Sequence, residues 1–352
     1  MSGGIGSRFW PASREARPKQ FLDFFGTGKS LLRLTFDRFR TIVPVENILV
    51  VTNQNYKEMT MAELPEMNEN QILLEPMRRN TAPCIAFATY HIQAKNPNAN
   101  IVVAPSDHLI LNEKEFTAMI ETAFEFVETH NTLLTLGIRP SRPETGYGYI
   151  QMSDDLLDGV TKVKVFTEKP SLDLAKIFYE SGEFLWNSGI FIWNAQTILS
   201  ELRAHLPELT NLFDRGIDKF GTPEEEAFID EIFVACPNIS IDYGLMEKAS
   251  NVYVQAANFG WSDLGTWGSL YDISDKDEQA NVANQSQTLF YDSKDNIVTL
   301  PKDKLGVIQG LEGYIVVESD NVLLICKKEE EQRIKEFVTD VKLKFKEDNK
   351  FI

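Results

Sequence analysis

Along its apolar positions the chain falls into two stretches with different rhythms. In the first, short apolar runs alternate with longer amphipathic segments. Asn47-Ile48-Leu49-Val50-Val51-Thr52, Ile72-Leu73-Leu74 and Ile101-Val102-Val103-Ala104 read as buried strands, too short for helices and rich in β-branched residues. Between them, Leu31 to Arg40 (with Ser30 as N-cap), Ala82 to Ala94 and Glu115 to Glu128 repeat apolar residues at helical spacing. A helix between successive strands calls for parallel pairing through right-handed crossovers. The expected fold is α/β, a Rossmann-like doubly wound mixed sheet. Further on, Val163 to Thr167 and Gly189 to Trp193 predict strands, and Tyr243 to Ala249 and Gly265 to Tyr271 predict helices.

The rhythm changes across Ser274 to Gln287, a polar, acidic stretch without periodicity. Beyond it come short strand-like pieces separated by turn signals: Thr288 to Tyr291, Asn296 to Leu300, Gly306 to Gln309, Tyr314 to Glu318 and Val322 to Ile325. They predict a small β unit resembling a partial β-helix, followed by a charged amphipathic helix over Lys327 to Lys346. The expected domains are 1–278, catalytic, and 279–352, a β unit serving assembly. Its alternating apolar residues Val298, Leu300, Val307, Ile315, Val317 and Leu323 need a surface to pack on, which a homodimer would supply.

Composition narrows the function. A net charge of −17 disfavours nucleic acid or an anionic membrane as partner, although one pocket of an acidic protein can still be basic. No apolar run is long enough to span a bilayer and no basic-then-apolar leader opens the chain. The three cysteines are scattered and odd in number, which predicts reduced thiols in a cytoplasmic protein, and the four histidines have no metal-ligand spacing.

The densest chemistry opens the chain. Gly3-Gly4-Ile5-Gly6-Ser7-Arg8-Phe9-Trp10-Pro11 offers main-chain N–H groups free of side-chain bulk, and Arg8 adds a fork of donors that matches a phosphate. Pro18-Lys19 then adds a mobile point charge. An apolar strand should run into such a loop, yet only Met1 and Ser2 precede Gly3, so the first strand is expected to be missing or shortened, or replaced by another segment. Gly26-Thr27-Gly28-Lys29-Ser30 imitates a P-loop, but Asp23 stands where that motif requires glycine.

The loop resembles the signature of the sugar-1-phosphate nucleotidyltransferases, and Lys19-Gln20-Phe21-Leu22 is similar to the mannose-1-phosphate guanylyltransferase branch. The likeness extends over roughly the first 270 residues, through Glu75-Pro76-Met77-Arg78-Arg79-Asn80-Thr81-Ala82-Pro83, Pro105-Ser106-Asp107-His108, Glu144-Thr145-Gly146-Tyr147-Gly148, Phe166-Thr167-Glu168-Lys169-Pro170, Trp186-Asn187-Ser188-Gly189, Ile241 to Lys248 and Gly260-Trp261-Ser262-Asp263.

As residues alone, several of these motifs have plainer readings. Asn80 and Thr81 can simply cap a helix, and Asp107 and Asp263 can be helix-capping aspartates or hard oxygen ligands for Mg²⁺. Glu168 and Lys169 can be a solvated surface pair. The resemblance implies one functional set. Gly3, Gly4, Gly6, Ser7, Arg8, Lys19, Glu75, Asn80, Thr81, Ser106 and Asp107 would bind the nucleotide. Gly146, Glu168, Lys169 and Asn187 would bind the sugar phosphate, and Asp107 and Asp263 would hold Mg²⁺. Guanine presents a donor edge that a carboxylate or carbonyl must accept, which makes Glu75 a candidate reader.

The implied reaction joins GTP and α-D-mannose 1-phosphate into GDP-mannose and pyrophosphate, with Arg8, Lys19, Asp107, Lys169 and Asp263 as the catalytic set. A sugar phosphate is already an anion at neutral pH, so no general base is required; this agrees with the lack of a Ser/His/Asp or Cys/His arrangement. Rival readings are a same-class enzyme using another nucleotide or sugar 1-phosphate, a non-catalytic regulatory relative that binds sugar nucleotide, and a P-loop hydrolase. Longer bacterial members of the branch carry an added cupin-like isomerase domain for which this length leaves no room, so a single activity is expected.

Overall fold

The computed structural model describes residues 1–345 and 349–352. Its internal contacts divide the chain into two compact units, one of Met1–Gly3, Phe36–Pro105 and Ile110–Trp261, the other of Gly4–Thr35, Ser106–Leu109 and Ser262–Ile352. Helix α1 (Leu31–Phe39) runs from the second into the first. Position 279 lies inside the second unit, which draws two short stretches from the first half of the chain together with the C-terminal segment.

In the first unit, β1 (Val50–Asn53) and β2 (Ile72–Glu75) pair in parallel around α2 (Lys57–Glu63), as alternating strands and helices predict. After α3 (Thr81–Lys95), β3 (Asn100–Val103), the two-residue β4 (Leu109–Ile110) and α4 (Glu113–Thr129) come β5 (Leu133–Ile138), β6 (Gly148–Leu157) and β7 (Val160–Glu168). They are followed by α5 (Leu172–Ser181), β8 (Phe184–Asn194), three helices α6 (Ala195–His205), α7 (Pro207–Asp214) and α8 (Glu225–Phe233), then β9 (Val252–Ala257) and the short β10 (Trp261–Ser262). A six-stranded sheet has the order β3-β8-β5-β9-β7-β6.

This sheet is mixed. β5 and β9 are parallel, but β3 pairs antiparallel with β8, so the expected parallel crossover into β3 gives way there. The 11-residue β8 is long enough to pair with β3 near one end and β6 near the other while β5 pairs along most of its length, which curls β8, β5, β9, β7 and β6 into a closed ring. Strand alternation sorts the core: Leu133, Phe191 and Trp193 join α3, α6, α7 and α8 on one face, while Leu134, Leu136, Ile190 and Ile192 meet Phe116, Ile120 and Ala123 of α4 on the other. Met1 and Ser2 run beside β1. The Ser2 N–H donates to Val51 O at 2.8 Å, Thr52 Oγ1 donates to Ser2 O at 2.9 Å, and the Met1 ammonium donates to Ala104 O at 2.9 Å.

In the second unit, α9 (Trp267–Ile273) leads into β11 (Val282–Asn284), β12 (Gln287–Tyr291), β13 (Ile297–Thr299), β14 (Leu305–Gln309), β15 (Tyr314–Ser319) and β16 (Val322–Lys327). β11, β13 and β15 stack in parallel on one face, β12 and β14 on another, and β16 closes the first face antiparallel. This is the coil of a short β-helix. Its inside is pinned by buried asparagines: Asn296 Nδ2 donates to Asn281 Oδ1 at 2.9 Å, one coil back, and Asn296 Oδ1 accepts from Tyr314 N–H at 2.9 Å, one coil on.

Coiling also splits the expected apolar set. Val298, Ile315 and Val317 are buried, whereas Val307 and Leu323 face outward. The C-terminal segment is a 3₁₀ turn over Lys328–Arg333 followed by α10 (Ile334–Lys344), shorter than the helix expected through Lys346, which lies outside the described residues. Ile334 joins Phe9, Trp10, Leu31, Trp267, Ile297 and Ile315 in one core, so the glycine-rich loop is anchored on the coil.

Candidate active site

The phosphate-type motifs of the second unit converge on Lys19. Gly6 takes φ 73, and a Cβ there would stand 2.5 Å from Lys19 Cβ, so glycine is required both for the turn and for the lysine stem crossing it. Ile5 O ties the two motifs together, accepting from Lys19 N–H at 3.1 Å and from the Ser13 hydroxyl. Beneath the loop, Phe9 packs edge-on to Trp267 with ring centroids 5.0 Å apart. Lys19, only 4% exposed, reaches Asp107 Oδ2 at 2.9 Å and the main-chain oxygen of Asp263 at 2.6 Å. The Arg8 Nε is buried with no hydrogen-bond partner among the described residues, and leaving such a charged donor unmet is costly.

Electrostatics keep the Asp107 carboxyl charged. Burial works to raise the Asp107 carboxyl, but the Lys19 ammonium, His108 and the Lys19 hydrogen bond outweigh it and hold it below the usual carboxylate range. Asp263 sits in a tight turn: its Oδ1 accepts from Gly265 N–H at 2.8 Å, and Leu264 takes φ 44, a strained value for leucine. Ser106 is buried, and its main-chain oxygen accepts from Thr35 Oγ1 at 3.3 Å. The P-loop mimic is a turn wrapped on Asp23, whose carboxylate takes the N–H groups of Phe25, Thr27 and Gly28. Those donors are already committed and cannot serve a phosphate.

The motifs expected from sequence on the base and sugar sides lie in the first unit. Glu75 ends β2, is 6% exposed, and its Oε1 has no hydrogen-bond partner among the described residues. Burial pushes its carboxyl up to about 7, against the pull of the Met1 ammonium and Arg78. A Cβ on Gly3 would lie 3.9 Å from Glu75 Oε2. Arg79 is spent structurally, donating to Phe233 O and Val234 O at the end of α8. Asn80 has φ 68, and its Oδ1 accepts from Thr81 N–H at 2.9 Å, while Thr81 Oγ1 accepts from Ile241 N–H at 2.8 Å.

On the sugar side, Lys169 has φ 46, which turns the chain at the end of β7 and lets two adjacent residues meet: Lys169 Nζ is 3.2 Å from Glu168 Oε2. Gly146 N–H donates to Glu144 Oε1 at 3.0 Å. Asn187 Oδ1 accepts from Gly189 N–H at 3.0 Å, and its Nδ2 donates to Asp242 Oδ1 at 2.9 Å. Trp186 beside it meets Tyr147 edge-on at 5.1 Å. Sequence reasoning does not single out Asp242, although the run Ile241 to Lys248 that contains it carries the family likeness.

A nucleotidyl transferase family model matches residues 1–280, and a mannoseP isomerase/GMP-like beta-helix domain model matches residues 287–341. A mannose-1-phosphate guanylyltransferase of Salmonella muenchen is 37% identical over 99% of this chain and 74% of its own length. The protein of the same name from Klebsiella pneumoniae is 35% identical over 97% of this chain and 73% of its own. The chain belongs to the mannose-1-phosphate guanylyltransferase family. A crystal structure from Thermus thermophilus, described as a mannose-1-phosphate geranyltransferase, shares the architecture with a TM-score of 0.85 and 30% identity over 97% of this chain and 98% of that one. The nucleotidyltransferase domain and β-helix coil expected from sequence are those of the guanylyltransferase family.

Proposed function

We infer that the chain transfers GMP from GTP to α-D-mannose 1-phosphate, giving GDP-mannose and pyrophosphate. A phosphate oxygen of mannose 1-phosphate attacks the α-phosphorus of GTP; the new P–O bond forms as the bond to the β-phosphate oxygen breaks, and pyrophosphate leaves with that electron pair. No proton has to be removed to make the nucleophile, so catalysis rests on alignment and charge neutralisation. The observation that carries this reading is the convergence of Lys19, Asp107 and Asp263, with an unmet Arg8 donor in the glycine-rich loop, in a chain of this family.

In this reading Arg8, Lys19 and the N–H groups of Gly3, Gly4, Gly6 and Ser7 receive the triphosphate, together with Ser106. Lys169 neutralises the sugar phosphate, with Glu168, Gly146 and Asn187 on the pyranose. Glu75, with Asn80 nearby in sequence, reads the base. The donor set suits Mg²⁺: two aspartates supply hard oxygens, and Asp107 is held in its charged form. Bound there, Mg²⁺ would neutralise charge on the triphosphate. Transfer of label from α-³²P-labelled GTP into a sugar nucleotide, dependent on mannose 1-phosphate, tests the reading; label released as GMP regardless of sugar phosphate overturns it.

Assembly and location belong to the same proposal. Leu289 and Val307 are paired across β12 and β14 and both exposed, and Tyr291 and Leu305 extend that face. An apolar face on a small coil supports a homodimer. Sedimentation should give a dimer for the full chain and a monomer for Val307→Asp. The three cysteines are unpaired and buried, which supports a cytoplasmic protein.

A further inference from the structure

Within the group of residues read above as sugar-binding stands a second carboxylate that the Glu168–Lys169 pair does not require. Asp242 opens a π-helical turn, Asp242–Met246, a bulged form that occurs often at functional sites. Its Oδ1 accepts from Asn187 Nδ2, while Asn187 Oδ1 is committed to the Gly189 N–H. The amide is thereby fixed with its NH₂ toward Asp242, so Asn187 serves to aim that carboxylate.

The charges around Asp242 are unbalanced. Burial, and then Glu168 facing it, push its carboxyl up to about 6, with the Asn187 hydrogen bond and Lys169 opposing. Glu247 at the far end of the turn is pushed up as well, by burial and then by Glu168. Glu168 is itself 9% exposed at the side chain and has Lys169 as its cation. Carboxylates that repel one another leave acceptor capacity that the protein's own donors do not fill. A ring bearing several hydroxyl donors meets that need.

The position of Asp242 is set from another motif. Thr81 Oγ1 accepts from Ile241 N–H, and Ala82 N–H donates to Ile239 O at 3.1 Å, so the first turn of α3 grips the residues just before Asp242. Ile241 is fully buried, which makes the threonine hydroxyl the acceptor its amide has in place of water.

We propose that Asp242 accepts a hydroxyl of the mannose ring alongside Glu168, and that Thr81 is its positioning residue, acting on the sugar side instead of holding the nucleotide. This rests on the guanylyltransferase reading and names a further part of its sugar recognition. Glu168 at the end of β7 and Lys169 just beyond it bear on Asp242, and the same Glu168, with Lys248, bears on Glu247 just past the π turn. The acid limb of the pH profile therefore belongs to Asp242 together with Glu247.

Steady-state kinetics on the full chain test it. Asp242→Asn should raise the KM for mannose 1-phosphate about tenfold or more, the loss of a hydrogen bond to a charged group, and leave the KM for GTP within about twofold. The wild-type kcat/KM for mannose 1-phosphate should fall below about pH 6, as the carboxyls protonate, and that limb should flatten in Asp242→Asn. Should Asp242→Asn fold poorly, Asp242→Glu keeps the charge and should retain the acid limb with a smaller rise in KM. Thr81→Val keeps shape and removes the acceptor; it should repeat the sugar-side defect, and Thr81→Ser should restore it. An unchanged sugar KM in Asp242→Asn, or a Thr81→Val defect that falls on GTP or on both substrates equally, overturns the proposal. A wild-type chain that transfers no GMP to mannose 1-phosphate would instead overturn the enzymatic reading.

Discussion

Lys19 Nζ stands 2.9 Å from Asp107 Oδ2 and 2.6 Å from the main-chain oxygen of Asp263, so one buried ammonium joins two aspartates far apart in the sequence. The lysine balances the buried Asp107 carboxylate and holds it in its charged form. Asp107→Asn and Asp263→Asn should each lower kcat by roughly 10²–10³-fold, the scale of removing one preorganised charge from a transition state. GTP binding, followed by equilibrium dialysis, should change much less. Near-normal turnover at limiting Mg²⁺ in either variant would remove that aspartate from the metal.

Gly6→Ala meets two obstacles at once, a φ of 73 and a Cβ 2.5 Å from Lys19 Cβ. The left-handed conformation alone costs about 1–2 kcal/mol in an alanine. The melting temperature should fall and activity should fall further, since the clash displaces Lys19. Gly28→Ala makes the control: it also has positive φ, 78, but nothing lies within 4 Å of its new methyl. It should lose stability and keep turnover.

The proposed base-reading role of Glu75 carries a pH dependence. Its carboxyl is raised to about 7, so the acceptor form that suits guanine's donor edge is present above that pH and is lost as pH falls through it. The KM for GTP should rise on acidification through 7. In Glu75→Gln that dependence should vanish, and preference for GTP over ATP should shrink about tenfold or more, the worth of a hydrogen bond to a charged group. A profile unchanged by Glu75→Gln would assign base reading elsewhere.

Asn296 tests the coil separately from the chemistry. It is fully buried, and its amide bonds Asn281, Leu311 and Tyr314. Asn296→Leu strands those groups, each at about 1–3 kcal/mol. Thermal unfolding should show a clear loss of stability, while kcat below the transition stays close to wild type.

Much of this is legible in the chain. Strand and helix periods locate β1, β2, β3 and helices α1, α3 and α4 to within a few residues, because short apolar runs and an i, i+4, i+7 stripe such as Phe116, Ile120 and Ala123 have few other solutions. Pairing is harder to read. Whether β3 joins β1 or β8 is decided by contacts distant in sequence, and Leu133–Ile138, buried along its whole length, offers no alternation to mark it. Alternation in the coil shows which residues share a side but not which side faces in, hence buried Val317 and exposed Val307. The glycine-rich loop, Lys19 and the two aspartates stand out because their residue types are rare in that order. Asp242 does not, since its significance lies in what Asn187, Glu168 and Thr81 do around it.

Pyrophosphate release with each of the four nucleoside triphosphates, with and without mannose 1-phosphate, bears most directly on the central claim. GTP with mannose 1-phosphate should release pyrophosphate in step with GDP-mannose, and omission of either substrate should abolish it. Release from GTP without the sugar phosphate, or faster release with another nucleotide, would contradict the assignment.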